Sequence, residues 1–134
     1  MRLTKVPARR LSVGEQQRLA VARAWSLDPE VLFLDEPTAA LDPAATHSLE
    51  EIIDAIKKSG TKVIMSTHDL GQAKRLADEV LFLYRGRLLE RADANQFFDQ
   101  PENDLAQSFM RGELLWWNRH ELKPPEKFNN RKGI

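Results

Sequence analysis

The chain has no cysteine, which excludes disulfides and thiolate metal sites and suits a reducing compartment. Long apolar runs are also missing. Stretches such as Val31–Leu34 and Val80–Tyr84 are far too short to cross a bilayer, and the first twenty residues hold no apolar core of a signal peptide. Neither sign of charge dominates: Lys+Arg and Asp+Glu each total 20, which argues against a nucleic-acid-binding surface. The basic residues that gather at the two ends (Arg2, Lys5, Arg9, Arg10; Lys123, Lys127, Arg131, Lys132) read as solvated termini. Repeats and low-complexity tracts are absent. What remains is 134 residues, enough for one ordinary core, and the expectation is a soluble intracellular protein.

Short β-like runs alternate with helical stretches, the pattern of an α/β layered fold. Ser12-Val13-Gly14-Glu15 has the spacing of a capping box, so a helix is predicted from Val13 to about Leu27, stopped by Asp28-Pro29. Val31–Leu34 is continuously apolar, as expected of a strand buried on both faces. Asp42-Pro43 repeats the start signal, and Leu49, Ile52, Ile53 and Ile56 mark one helical face closed by Lys57, Lys58 and Gly60. Lys62–Ser66 reads as a second strand, and Asp69 caps a short helix through about Ala77. Val80–Tyr84 and Arg87–Glu90, joined at Arg85-Gly86, read as a β-hairpin. Short helices are predicted near Ala94–Asp99 and Glu102–Met110. After Gly112 come an apolar knot, Leu114-Leu115-Trp116-Trp117, and a polar tail predicted to be disordered.

Three segments carry chemistry. The capped helix start at Ser12 and Gly14 offers free backbone N–H groups and the positive end of the helix dipole, a place for a phosphate, although most capping boxes bind nothing. Asp35-Glu36-Pro37 puts two adjacent carboxylates at the C-terminal end of a strand, where α/β folds bind ligands. One can hold Mg²⁺, which wants oxygen ligands, and the next can take a proton from an attacking water. Ordinary solvated acids are an equal reading of that motif alone. Ser66-Thr67-His68-Asp69 closes the next strand with a histidine that is either a turn residue or a donor to a γ-phosphate oxygen.

Taken together, LSVGEQQR, VLFLDEP, ALDP and STHD, in that order and spacing, closely resemble the signature, Walker B, D-loop and switch-histidine motifs of the ABC ATPases. The resemblance covers roughly residues 8–110 and implies an ATP- and Mg²⁺-dependent importer subunit of the P-loop NTPase fold. By position it implies that Ser12, Gly14 and Glu15 contact the ATP of a partner subunit in trans. It implies that Asp35 orients Mg²⁺, that Glu36 is the general base, that Asp42 lies in the loop coupling the two sites, and that His68 senses the γ-phosphate. Gln72 is expected only to support the start of the following helix. The implied partners are a second ATPase subunit and a membrane-spanning permease, with the chain peripheral on the cytoplasmic face of the membrane and no role for nucleic acid. The segment from Asp69 to Glu90 with the Phe97-Phe98 pair is most similar to oxyanion importers, tungstate first, with molybdate and phosphate close behind.

Two departures stand out. Val13 occupies the first of two positions that are usually glycine in the signature, so weakened ATP sandwiching is expected. The larger departure is that the six glycines (14, 60, 71, 86, 112, 133) never form G-x-x-x-x-G-K-[ST], the loop whose amides and lysine grip the β- and γ-phosphates. The expected fold is therefore α/β, an incomplete ABC-type P-loop NTPase lacking the Walker A strand and loop, with a C-terminal β-hairpin and short helices. Residues 1–112 would form the partial ATPase domain and residues 113–134 the knot and tail. The sheet is expected to split into a Walker B/switch pair and a separate hairpin, each with an unpaired edge. A chain of this kind would not hydrolyse ATP alone. The alternative function is a non-catalytic module that offers its signature helix to a complete partner.

Overall fold

The computed structural model describes Pro7 and residues 10–113. The knot and tail expected beyond Gly112 lie, from residue 114 on, outside the described residues. Two units result, one ending at Ala77 and the other starting at Asp78.

In the first unit, α1 (Val13–Trp25) starts at the predicted capping box, with Ser12 accepting from the Glu15 N–H and Glu15 reaching back to the Ser12 N–H. It stops two residues before the predicted end, and Asp28 takes a left-handed φ of 51° to turn the chain. Strand β1 (Val31–Asp35) pairs in parallel with β2 (Lys62–Ser66), in the register Val31↔Lys62 through Asp35↔Ser66. The crossover between them is α2 (Pro43–Lys58), capped by the Asp42 carboxylate on the Ala45 N–H. The short helix α3 (Leu70–Leu76), capped by Asp69, follows β2.

Leu32 and Leu34, with Val63 and Met65, face a core built around Leu49, Ile53 and Ile56 of α2 and Val21 of α1. The expectation that β1 is buried on both faces fails here. Val31 is 40% exposed, Phe33 73% and its partner Ile64 41%, so among the described residues one face of the sheet is bare. Parallel sheets are ordinarily covered on both faces, so the continuous apolar run records a need for cover that these residues do not themselves meet.

In the second unit, β3 (Glu79–Tyr84) and β4 (Arg87–Asp93) form an antiparallel hairpin with an irregularity between Phe82 and Leu83. Arg85 and Gly86, at φ 49° and 74°, make the tight turn that the Arg-Gly pair promised. The second strand runs three residues past its predicted end. Helices α4 (Ala94–Asp99) and α5 (Asp104–Met110) follow. Asn103 caps α5, so the helix begins two residues later than predicted. Phe82 packs against Phe97 and Phe109, with ring centroids 6.0 and 5.7 Å away. Among the described residues the two sheets are separate and two-stranded, in line with the expected split. Among the described residues no helix is long and apolar enough to cross a membrane.

Candidate functional site

Parallel pairing in register ends β1 and β2 side by side, so Asp35 and Ser66 are direct partners and the next residues leave the sheet together. Two carboxylates and a histidine that lie some thirty residues apart in sequence therefore meet at one sheet end. The His68 Nδ1 lies 2.9 Å from Glu36 Oε1. The pair sits in an open groove of about 520 Å³ whose wall includes Thr38, Thr46, His47 and Asp69.

The backbone at Glu36 is unusual. Its φ is +44°, in the left-handed region that a residue with a Cβ enters at a cost of about 1–2 kcal/mol. Three acceptor contacts hold it there. The Glu36 N–H donates both to Ser66 O, at 3.1 Å, and to Ser66 Oγ, at 3.0 Å, and the Ala39 N–H bonds Glu36 O at 3.2 Å. The Ser66 hydroxyl in turn donates to Asp35 Oδ1.

Asp35 fits a Mg²⁺ ion bound in the usual way, through one or two carboxylates plus phosphate oxygens and water. It presents a hard oxygen donor at the strand end, with Oδ1 already fixed by Ser66. No cluster of three or more His, Cys, Asp or Glu that could hold a metal occurs among the described residues. The imidazole of His68 is held protonated to higher pH than an ordinary histidine, first by its hydrogen bond to Glu36, then by that carboxylate's charge, with Asp69 adding. The doubly protonated ring is the only form that donates from both nitrogens.

Beneath the groove lies a polar network. Glu50, only 7% exposed, receives a bidentate fork from Arg75 at 2.9 and 2.7 Å. Gln72, expected merely to support a helix start, is fully buried, and its amide nitrogen donates to Thr38 Oγ1 at 2.8 Å and Glu50 Oε1 at 3.2 Å. Its Oε1 has no partner among the described residues. The network ties the loop after Glu36 to the helix after His68. The Arg75 fork holds the Glu50 carboxyl below the usual carboxylate range.

The remaining predicted site residues sit elsewhere in the same unit. Ser12 and Glu15 are engaged with each other at the exposed start of α1, where Ser12 lowers the Glu15 carboxyl from its ordinary value through the backbone bond first. Val13 is 59% exposed. Gly14 is buried against α2, where a Cβ would fall 2.9 Å from the Ala45 Cβ, so close helix approach accounts for its lack of a side chain. Asp42 serves as the cap of α2. Thus Asp35, Glu36 and His68 come together, while Ser12, Gly14, Glu15 and Asp42 do not join them.

Sequence reasoning overlooked Thr38, Glu50 and Arg75, and it named Ser66 only as part of the segment that ends the second strand, with no role of its own. Glu50 had a signal, since it adjoins the apolar stripe of Leu49, Ile53 and Ile56 where a lone carboxylate needs a partner. Ser66 had none, because its role depends on the strand register.

A family profile described as "AAA domain, putative AbiEii toxin, Type IV TA system" matches residues 2–71. The phosphate import ATP-binding protein PstB of Mycoplasmoides gallisepticum is 49% identical over 104 residues, which is 78% of this chain and 32% of that protein. The corresponding PstB of Thermotoga maritima is 45% identical over 105 residues, 78% of this chain and 41% of the relative. A solved structure titled as cbiO1 from Clostridium perfringens, part of the ABC transporter complex cbiONQ, aligns with a TM-score of 0.63 at 32% identity, covering 72% of this chain and 39% of that one. The chain thus spans between about a third and two fifths of the length of these relatives.

Proposed function

The chain belongs to the AAA-domain family of that profile and, through its relatives, to the ABC-type ATPases as part of a nucleotide-binding domain, and from that premise we propose that it is the metal- and base-orienting portion of an importer ATP-binding subunit. The observation that carries this is the juxtaposition of Asp35, Glu36 and His68 at one sheet end, with Glu36 and His68 2.9 Å apart.

Each group has work suited to its surroundings. Asp35 would hold Mg²⁺, which supplies charge neutralisation for the phosphates when bound. Glu36 accepts a proton from the attacking water. His68, protonated, donates from Nδ1 to Glu36 and offers Nε2–H to a γ-phosphate oxygen, linking the base to the group being transferred. Ser12 and the start of α1 would present N–H groups to the ATP of a second subunit, and Asp42 would carry the state of one site to the other. The second subunit and a membrane-spanning permease are the proposed partners, with the chain on the cytoplasmic face of the membrane.

Positioning and charge supply nearly all catalysis of phosphoryl transfer. A triphosphate gripped by no lysine and no ring of loop amides is not positioned, so this polypeptide by itself is inactive. The solute on this reading is an oxyanion: phosphate is in the names of the relatives, and tungstate is the alternative that the sequence reading of residues 69–90 puts first. Competition between labelled phosphate and tungstate for uptake would separate those two.

The test measures ATP hydrolysis by the purified chain, by a complete phosphate-import ATP-binding subunit, and by the mixture. The chain alone should show no turnover. In the mixture, added turnover that requires Glu36 marks the chain as catalytic, whereas added turnover that requires Ser12 but not Glu36 marks it as the signature-donating module. Hydrolysis of Mg-ATP by the chain without any helper would overturn the proposal.

A further inference from the structure

The hydroxyl of Ser66 sits between the two carboxylates that the proposed function assigns to different tasks. It donates to Asp35 Oδ1, and it accepts the Glu36 N–H at 3.0 Å. A hydroxyl has one proton to give and lone pairs to receive, so one side chain serves both neighbours at once. We propose that Ser66 is a positioning residue that divides the labour of the acidic pair: it fixes Asp35 with one oxygen left for a cation, and it locks Glu36 in the left-handed turn that aims its carboxylate at His68.

The geometry supports this at three points. Register pairing places Ser66 directly opposite Asp35, so the contact needs no distortion of the sheet. Glu36, with φ +44°, has a backbone that a non-glycine residue holds only when its surroundings insist. Its N–H is shared between the carbonyl and the hydroxyl of the same serine, so one residue supplies both acceptors. Were Glu36 to relax to ordinary β geometry, its side chain would leave the 2.9 Å contact with His68 and the base would lose its aim. Among the described residues, Ser66 is also the only side chain bonded to Asp35.

This inference rests on the catalytic reading of Asp35 and Glu36, and the experiment separates the two. Ser66→Ala removes the hydroxyl, and Ser66→Thr retains it on a strand-compatible residue. In the purified chain, the Glu36 amide coupling constant and Cα shift by NMR report its φ directly. Ser66→Ala should move Glu36 out of the left-handed region and Ser66→Thr should return it. In the mixture with a complete subunit, Ser66→Ala should lower kcat roughly tenfold to a hundredfold, with KM for Mg-ATP little changed and the threonine variant rescuing. If the alanine variant fails to fold, Ser66→Cys replaces it, the thiol being a weak donor, with the same result expected. A Glu36 φ and a kcat both indifferent to loss of the hydroxyl would overturn the proposal. If Glu36→Gln, run alongside, leaves the mixture's turnover unchanged, the catalytic reading fails instead, and the NMR arm still decides whether Ser66 holds Glu36.

Discussion

The two units use the same residue types for opposite ends. In the hairpin unit, buried Glu90 accepts from the Glu102 and Asn103 N–H groups at 2.9 Å each, closing off the start of α5. Two of its left-handed residues, Arg85 and Gly86, lie where a two-residue hairpin turn demands them. In the other unit, Asp28 and Gly60 are left-handed where the chain turns after a helix, but Glu36 is left-handed at the end of a parallel strand where no turn type asks for it, and its carboxylate lines an open groove. Glu90 satisfies backbone; Glu36 is held strained, partly exposed and facing a histidine. Strain at a strand end beside a histidine is what a site for chemistry needs, whereas the left-handed Arg85 is accounted for by its hairpin turn.

The sharpest way to break that contrast is Glu36→Gln. In a complete assembly this should lower turnover by about a hundredfold or more, the usual contribution of a general base, while the thermal midpoint of the chain stays nearly unchanged. If the melt moves and the rate does not, Glu36 is structural and the contrast with Glu90 disappears. Phe97→Ala is the mirror experiment. That ring is 2% exposed and packs on Phe82, so its removal should cost about 3–5 kcal/mol in denaturant unfolding. The Glu36–His68 pairing seen by NMR should be unaffected.

Glu50→Leu comes next and sharpens the comparison, because Glu50 is the one buried carboxylate of the first unit that behaves like Glu90. Removing it strips Arg75 and Gln72 of their partner, with an expected loss of about 2 kcal/mol by urea titration. The effect should shrink if Arg75→Leu is already present, since the two changes share the Arg75 fork and only the Gln72 bond remains to be lost. Gly14→Ala should follow at about 1–2 kcal/mol, because the new Cβ would meet the Ala45 Cβ at 2.9 Å. Val13→Gly, at a site 59% exposed, should leave stability within about 1 kcal/mol and, in a complete version of the protein, raise ATP-dependent dimer formation. No gain in dimerisation would end the idea that valine weakens the signature.

Local signals were legible because they depend on neighbours in sequence. The Ser12/Glu15 box, the Asp42-Pro43 start, the Arg85-Gly86 turn and the period of Leu49, Ile53 and Ile56 all lie within a few residues of what they control. The convergence of Asp35, Glu36 and His68 was legible through the resemblance, not through pattern. Hidden were features set by register and layer. Ser66 opposite Asp35 follows from pairing across thirty residues, and the bare face of Val31 and Phe33 follows from what does or does not lie over the sheet. Gln72 does take the Asp69 cap at the helix start, but its burial was hidden for the same reason: it depends on Thr38 and Glu50 arriving from other elements.

The smallest effect tests the pairing itself. The folded value of His68 lies above its ordinary 6.5, so whatever stability the Glu36 contact adds is fully present below that value and is lost as pH rises through the raised one. Glu50 runs the other way: its folded value lies below the ordinary 4.5, so its contribution holds above 4.5 and is lost as pH falls through the lowered value. His68 and Glu36 are 76% and 38% exposed, so salt and water screen the first pair and its share of stability should be slight. Its titration is still measurable by NMR. The midpoint of His68 should stand above 6.5 in the parent chain, move toward 6.5 in Glu36→Gln, and move less in Glu50→Leu, since Glu50 is not hydrogen-bonded to the imidazole. A parent midpoint at or below 6.5 would mean that the carboxylate is not held against the ring, and the strained turn at Glu36 would then have no partner to aim at.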